Sequence, residues 1–406
     1  MSATAISQQR KTSAAFPIWT ALLVVLILAG LGTWINQIIH GLVLTDMRNI
    51  TSWGLYIVSF MFFVGLSAGG LIMSSAARVF NISTYKPVSK LATFLSFVCI
   101  LTAALFIIPD LGRPERIWHM VVYPNMTSPL MWDVIIIVVY LVLSAVYLWL
   151  QIRAEHGKTS EATLRVVSFI ALPTAILVHS ITAWIFGLQI SRPYWHTALL
   201  APMFISAALA SGLALLMVVV LILRWRKVLD VSMDMIRSMS TLEAVFIFID
   251  LFFLFAEMLT EAYPAAPEGI GPVLLLVTQT GAPVFWAEVI IGNIAALVLL
   301  LNPNTRRSPL AVGIAGALAV LGVFLHRFNL VMAGFVLPLI QAPTVQTGPQ
   351  SANVGTFLQG LESYFPYFPS LTEWGVAAGL VAFALLLFTL GVRYLPLFPH
   401  PQQKAA

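Results

Sequence analysis

The chain has 406 residues, of which 60% are hydrophobic and only 9% are charged, and its mean hydropathy is +0.94. Soluble domains carry about 25% charged residues, so this composition excludes an ordinary soluble protein and indicates a membrane protein. The net charge of +5 does not indicate a nucleic-acid binder, because the basic residues lie between hydrophobic segments. The single cysteine, Cys99, excludes an internal disulfide and an iron–sulfur cluster held by this chain, since such a cluster takes about four ligands.

The hydrophobic segments predict an all-α membrane protein with ten transmembrane helices, because about twenty apolar residues cross the hydrocarbon as a helix. Small residues recur in the second and sixth segments, which favours two related four-helix bundles, although chance similarity explains this equally well. The predicted first bundle is 53–190, the second is 197–334, and 335–370 is an outer loop, all within one membrane domain, 1–406. The predicted spans are 16–38, 53–76, 89–109, 132–152, 165–190, 197–224, 240–262, 283–302, 309–334 and 371–394.

Lysine and arginine predict the orientation of these spans, since cytoplasmic loops carry an excess of both. With ten spans, 16 of the 21 basic residues fall on the side of the termini, 4 fall on the other side, and Arg327 lies inside a span. Both termini are therefore predicted to be cytoplasmic. We call the opposite side the outer side.

The first candidate site is a polar segment between the third and fourth spans, residues 110–133. Histidine titrates near neutral pH and buried carboxylates can be tuned to it, so this region could bond a quinone and exchange its protons. The alternative is that these side chains only cap helices or reach the interface. His40 and Asp110 are the predicted proton-exchanging residues; Gln37, Arg113, His119, Asp133, His179 and Trp184 complete the predicted quinone site; Arg113, Arg116 and Arg192 are predicted partner-docking residues.

A second group of ionisable residues lies in the later spans, where a charge at mid-helix costs about 2.5–3.5 kcal/mol on insertion scales. One interpretation is a proton path, and the other is a set of ion pairs that keeps buried charges partnered. The histidines in the spans differ in predicted depth, so no pair is placed to hold a haem. The predicted proton-path residues are Asp250, Glu257, Glu288, His326, Arg327 and Glu373.

The chain contains several distinctive stretches: Trp53-Gly-Leu-Tyr, Phe63-Val-Gly-Leu-Ser-Ala-Gly-Gly70, Asp110-Leu-Gly-Arg-Pro-Glu-Arg116, Trp132-Asp133, His179-Ser-Ile-Thr, Arg192-Pro193 and Arg393-Tyr-Leu-Pro396. These stretches resemble the NrfD/PsrC family, the membrane subunits of polysulfide reductase-like respiratory complexes. The resemblance covers nearly the whole chain, and the C-terminal part is similar to the longer ten-helix branch. Gln37 stands where the polysulfide reductase subunit has asparagine, and Leu254 and Phe255 fill a region where the long branch tends to have an arginine.

The resemblance implies a quinone-reactive anchor of a multi-subunit respiratory oxidoreductase in a bacterial or archaeal cytoplasmic membrane. It implies menaquinone or ubiquinone near the outer face, with His40 as a quinone ligand, and no haem, metal or iron–sulfur cluster in this chain. The implied partners are a ferredoxin-like iron–sulfur subunit and, through it, a molybdopterin or other catalytic subunit, so this chain would not itself transform the terminal substrate. A secondary transporter and a structural anchor without quinone remain alternatives.

Overall fold

The regular structure is entirely helical in the computed structural model, which describes residues 15–48, 51–336 and 367–398. The predicted outer loop, 335–370, lies almost wholly outside these residues, as do both termini. The principal helices are α1 (Ala15–His40), α2 (Leu55–Val79), α3 (Ser89–Asp110), α4 (Pro129–Glu155), α5 (Glu161–Gly187), α6 (Leu200–Trp225), α7 (Met233–Ala262), α8 (Pro267–Thr278), α9 (Ala282–Leu301), α10 (Pro309–Ala333) and α11 (Leu371–Tyr394).

Nine of the helices in the described part of the chain are long and apolar enough to cross a membrane, so this is a multi-pass integral membrane protein. Each corresponds to a predicted span. The seventh predicted span is α7, a helix of 30 residues that is not one of these nine. Its exposed side is nonetheless apolar, with Phe248, Phe252 and Phe255 all more than half exposed.

Helix α2 lies at the centre, where it packs against α3, α5 and α6. Two glycines set its approach to α6, since a Cβ on Gly69 would overlap the backbone of Gly212. Small residues allow helices in a membrane to approach this closely. The small-residue motifs that suggested two related bundles are therefore in direct contact.

Helices α1 and α11 pack against each other at the edge of the molecule, where Gly30 and Gly379 let their backbones meet. Helix α11 also contacts α3, so the last helix of the chain closes against the first half. In α9, residues Ala287–Ile294 have the wider turns of a π-helix, a local form often found at functional sites. This segment packs against α10 through Gly292 and Gly322.

Candidate functional site

Gln37 forms the centre of a buried hydrogen-bond group at the ends of α1, α2 and α3. Its side chain is 3% exposed. Its amide nitrogen donates to the carbonyl of Pro109 at 2.8 Å, and its amide oxygen accepts from the Tyr56 hydroxyl at 2.6 Å. The side-chain amide is thus held in one orientation, with its donor toward the last turn of α3.

Asp110 ends α3 beside this group, and its Oδ1 is buried without a hydrogen-bond partner among the described residues. Glu373, fully buried in the first turn of α11, is near enough to interact electrostatically with both Asp110 and Tyr56. A buried acceptor without a partner is costly unless a ligand or water completes it. We call the group formed by Gln37, Asp110 and Glu373 the outer rim.

Glu373 belongs to the outer rim, and the sequence-based grouping of this residue with the acids of the later spans was wrong. One carboxylate oxygen accepts from the backbone N–H groups of Asp46 and Ser370, each at 3.0 Å. The other accepts from the hydroxyl of Tyr367. With Ser370 as its N-cap, Glu373 also forms the capping box that begins α11.

Tyr367 ties the outer rim to the start of α2. Its hydroxyl oxygen accepts from the backbone N–H of Leu55 at 2.6 Å while the O–H donates to Glu373. Burial, and then the adjacent Glu373 carboxylate, raises the pKa of the Tyr367 phenol well above its usual value. Neither Tyr56 nor Tyr367 was predicted as a site residue. The sequence signal for these residues is weak: each tyrosine lies near glycine or proline.

An apolar cleft of about 170 Å³ lies directly inward of the outer rim, between α1, α3 and α11. On each helix the rim residue lies at most one turn outward from the cleft lining: Gln37 follows Trp34, Asp110 follows Pro109, and Glu373 precedes Val376. The cleft is lined by apolar residues, and the three rim residues lie next to that lining along their helices. Small-molecule sites likewise combine apolar walls with a few polar groups. The lining residues are Ile27, Gly30, Leu31, Trp34, Leu105, Ile108, Pro109, Val376, Gly379, Leu380 and Phe383.

His40 and the loop after α3 are exposed. The His40 ring nitrogen Nδ1 is 3.0 Å from the carbonyl of Asn36 in its own helix. Arg113, Arg116 and His119 are all exposed, and the His119 ring packs edge-on against Trp118. The same loop exposes a run of large apolar side chains, which we call the outer patch: Ile117, Trp118, Val121, Val122, Tyr123 and Met126.

Asp133 and His179, predicted to join the same quinone site, lie in a separate polar group between α4 and α5. Thr182 donates to Asp133 Oδ1 at 2.6 Å, and His179 Nδ1 is 2.7 Å from the carbonyl of Ala175. His179 Nε2 is buried without a hydrogen-bond partner among the described residues. Trp184 is 38% exposed. Within the described residues, no hydrogen bond joins this group to the outer rim.

Arg192 is buried by packing between the loops at the outer end. Its guanidinium donates to the carbonyl of Gly334 and lies 4.8 Å from the ring centre of Phe335. Burial lowers its pKa. With 6% of its surface exposed, this side chain has no open face for the partner-docking role that the sequence suggested.

The second group of ionisable residues forms a network across α9 and α10. Glu288, in the π-helical segment, accepts from Asn329 at 2.6 Å and lies 2.9 Å from His326 Nδ1. Glu257 of α7 joins them around a cavity of about 10 Å³, roughly the space of one water molecule. The structure thus brings Glu257, Glu288 and His326 together.

Helix α7 extends this network along one buried face. Glu243, Asp250 and Glu257 are spaced seven residues apart, so they share that face over about 21 Å at 1.5 Å per residue. Asp250 accepts from Ser206 at 3.0 Å, whereas both oxygens of Glu243 and Oε1 of Glu257 have no partner in the described part of the chain. Glu243 was not predicted; the seven-residue spacing was the signal.

Arg327 supplies the positive charge beside these acids. It is fully buried, with its guanidinium carbon 3.8 Å from the ring centre of Phe204. Its electrostatic neighbours include Asp250, Glu288 and Glu257, and it also acts on His179 in the other half of the molecule. Arg327 therefore lies between the two polar groups.

This chain is an integral membrane protein: its helices bury polar groups in the interior and expose apolar side chains on the surface. Residues 43–338 match the family described as polysulphide reductase, NrfD. The chain belongs to the NrfD family. Among residues 15–48, 51–336 and 367–398, no group of three or more His, Cys, Asp or Glu side chains is arranged to hold a metal ion.

Three curated relatives are similar along nearly their whole length. A putative membrane subunit of dimethyl sulfoxide reductase from Halobacterium salinarum is 36% identical, over 93% of this chain and 91% of the relative. An Hdr-like menaquinol oxidoreductase integral membrane subunit from Archaeoglobus fulgidus is 32% identical, over 91% of each. A subunit of selenate reductase from Mesobacillus selenatarsenatis is 29% identical, over 88% of this chain and 89% of the relative.

Proposed function

We propose that this chain is the quinone-reactive membrane subunit of a multi-subunit respiratory oxidoreductase. One observation carries the proposal: the buried Oδ1 of Asp110 has no partner among the described residues, and Asp110 directly follows Pro109, which lines an apolar cleft. A quinone likewise combines polar oxygens on a ring with an apolar tail. The names of the relatives support it, since one is a menaquinol oxidoreductase subunit and two belong to reductases.

A bound menaquinone or ubiquinone would supply two-electron, two-proton redox chemistry at the outer rim. Gln37, fixed by Pro109 and Tyr56, orients a polar ligand through its amide. Asp110 accepts or returns a proton at Oδ1, and Glu373 lies near enough to act on it electrostatically. His40 lies on the exposed end of α1 three residues after Gln37, where it exchanges protons with water.

The outer patch is where a partner of this chain would bind. It combines exposed aromatic and aliphatic side chains with the neighbouring guanidinium groups of Arg113 and Arg116, a composition found at protein interfaces. The loop that carries it begins directly after Asp110, so a ferredoxin-like iron–sulfur subunit bound there would be close to the outer rim. A catalytic subunit would then receive or supply the electrons through that partner.

The proposal includes α7 as a tenth span and both termini on the cytoplasmic side. The reason for the tenth span is that α7 exposes phenylalanines and buries Glu243, Asp250 and Glu257, a distribution expected of a helix in lipid. The reason for the orientation is the excess of lysine and arginine on one side. Cysteine-accessibility labelling at Ser2 and Gln403 in whole cells tests it: labelling without permeabilisation would contradict the orientation.

Extraction of the purified complex tests the quinone assignment against its alternatives. We expect an iron–sulfur protein to copurify and quinone to be recovered with the complex. A lone chain that takes up a solute in vesicles would instead indicate a secondary transporter. A complete complex that holds no quinone and shows no quinone-linked activity would indicate a structural anchor.

Proton movement through the second half of the molecule is a second candidate function, favoured by the buried acids of α7. Glu257 should exchange protons with the network of Glu288 and His326, because its Oε1 has no partner among the described residues and a water-sized cavity joins the three. We expect Glu257→Gln to lower the charge moved per electron in vesicles while quinone-linked electron transfer continues. Glu261→Gln, one turn away and half-buried, is the matched control; equal charge movement in both variants and the wild type would exclude this path.

A further inference from the structure

Helix α4 carries a buried row of polar side chains along its whole length. The row turns once every three or four residues, so its members face the interior of the first half of the molecule, while Val138, Val142 and Trp149 are exposed on the opposite side. A polar row inside a membrane is expensive unless it is partnered or hydrated. Its buried members are Asp133, Tyr140, Ser144, Tyr147 and Gln151, and the partly buried Glu155 continues the row at the inner end.

The inner half of the row is joined by side-chain hydrogen bonds to α2, α3 and α5. Glu155 Oε1 lies 2.6 Å from Lys90 Nζ. One turn away, Gln151 Nε2 donates to Ser74 at 2.9 Å and to Ser89 at 3.1 Å. Thr93 donates to the same Ser74 hydroxyl at 2.8 Å, and the Tyr147 and Ser168 hydroxyls are 2.8 Å apart.

The outer half continues from α3 toward His179. Ser96, one turn beyond Thr93, has its hydroxyl 2.7 Å from that of Tyr140, and Tyr140 donates to the carbonyl of Ser67 at 2.9 Å. The Ser67 hydroxyl donates to the carbonyl of Val64, which lies beside the ring of His179. His179 is one turn from Thr182, the residue that bonds Asp133.

Unpartnered atoms occur along this row. Gln151 Oε1, Glu155 Oε2 and His179 Nε2 are buried and lack hydrogen-bond partners in the described part of the chain. Gln151 and His179 are each 2% exposed. Buried polar atoms of this kind are normally completed by internal water. The hydroxyl groups of the row can pass a proton, whereas the backbone carbonyls of Ser67 and Val64 only accept hydrogen bonds, so transfer between Tyr140 and His179 goes through internal water.

We infer that this row is a proton relay between the inner side of the membrane and the outer end of the first half, where the proposed quinone site lies. The inference rests on the proposed function. Quinol oxidation releases two electrons, which go to the iron–sulfur partner, and two protons; quinone reduction takes up two of each. The relay exchanges those protons with the inner side, entering or leaving beside Lys90 and Glu155 and reaching Asp133, whose helix packs against the one that ends at Asp110. Because no hydrogen bond of the described residues joins Asp133 to the outer rim, internal water carries the last step.

A structural role is the alternative, because hydrogen bonds between transmembrane helices also stabilise packing. One measured ratio distinguishes the two roles: the number of protons exchanged on the inner side per electron transferred. Loss of packing lowers the amount of active complex and leaves that ratio unchanged. Loss of a relay group lowers the ratio itself.

The test uses the complete complex in oriented vesicles, with a pH indicator trapped on the side that corresponds to the inner face. Tyr140→Phe removes the hydroxyl that joins Ser96 to Ser67 and keeps the ring. Tyr85→Phe is the matched control, since its hydroxyl bonds Ser238 away from the row. We expect the inner-side ratio to fall about tenfold or more in Tyr140→Phe, in keeping with removal of a proton-transfer group, and to stay at the wild-type value in Tyr85→Phe.

Ser96→Ala removes the partner hydroxyl and serves as the second variant if Tyr140→Phe does not assemble. Repeating the measurement in the Glu257→Gln variant excludes a contribution from proton transport through the second half of the molecule. A wild-type ratio in assembled Tyr140→Phe and Ser96→Ala complexes would overturn the relay while leaving the quinone site intact. Absence of quinone-linked turnover in the wild-type complex would instead overturn the proposed function.

Discussion

Asp110→Asn is expected to lower quinone-linked turnover by about 10²-fold or more, while the dye-linked activity of the catalytic partner is retained. The side chain keeps its size but loses the carboxylate that exchanges a proton at the outer rim, and a positioned acid–base group typically contributes about 10²–10⁴-fold. Parallel assays with a quinol and with a redox dye on one purified complex measure the effect.

Glu115→Gln is the control for Asp110→Asn, because Glu115 is exposed in the loop that follows and lies outside the outer rim. His40→Ala is the companion variant, with a loss in the same assay expected from its place at the open end of α1. Unchanged quinone activity in both Asp110→Asn and His40→Ala would remove the outer rim as the redox site.

Gly69→Val is expected to prevent assembly of the folded subunit. Even a single Cβ at this position would overlap the backbone of Gly212, so α2 and α6 would have to separate, and α2 also packs against other helices of the core. Overpacking a core costs typically about 1–3 kcal/mol and occasionally more, and here the obstacle is backbone that no rotamer change can move.

Gly65→Ala is the matched control, since it lies one turn away on the same helix and its nearest obstacle is the Ser211 hydroxyl at 3.5 Å, an ordinary contact. The yield of monodisperse complex in detergent and its thermal midpoint measure the difference. Equal yields for Gly69→Val and Gly65→Ala would contradict the close α2–α6 contact.

The helices were predictable because the bilayer sets their length and requires apolar surface, and both requirements can be read from local sequence. Nine helices of the described part are long and apolar enough to cross a membrane, and each coincides with a predicted span; the remaining predicted span coincides with α7. The π-helical turn at Glu288 could not be predicted in this way, because the local apolar pattern is the same as that of an α-helix.

The candidate sites were only partly predictable, because their geometry depends on which helices meet. Glu373 was grouped with the wrong residues, since the contact of the last helix with α1 and α3 is a long-range property. Asp133 and His179 were placed with Gln37 because spans 1, 3, 4 and 5 were expected to share one site at their outer ends, yet these two residues lie in a separate group. Tyr140 and Tyr147 were counted as ordinary residues of an apolar span, and their hydroxyl partners come from three other helices.

Covalent labelling with a photoreactive quinone analogue tests the central claim most directly. With the complete complex in membranes, we predict labelling of the peptides that line the cleft on α1, α3 and α11, near Trp34, Pro109 and Val376. An excess of the natural quinone should suppress that labelling. Suppressible labelling confined to helices α6–α10, with none at the cleft, would contradict the proposed site.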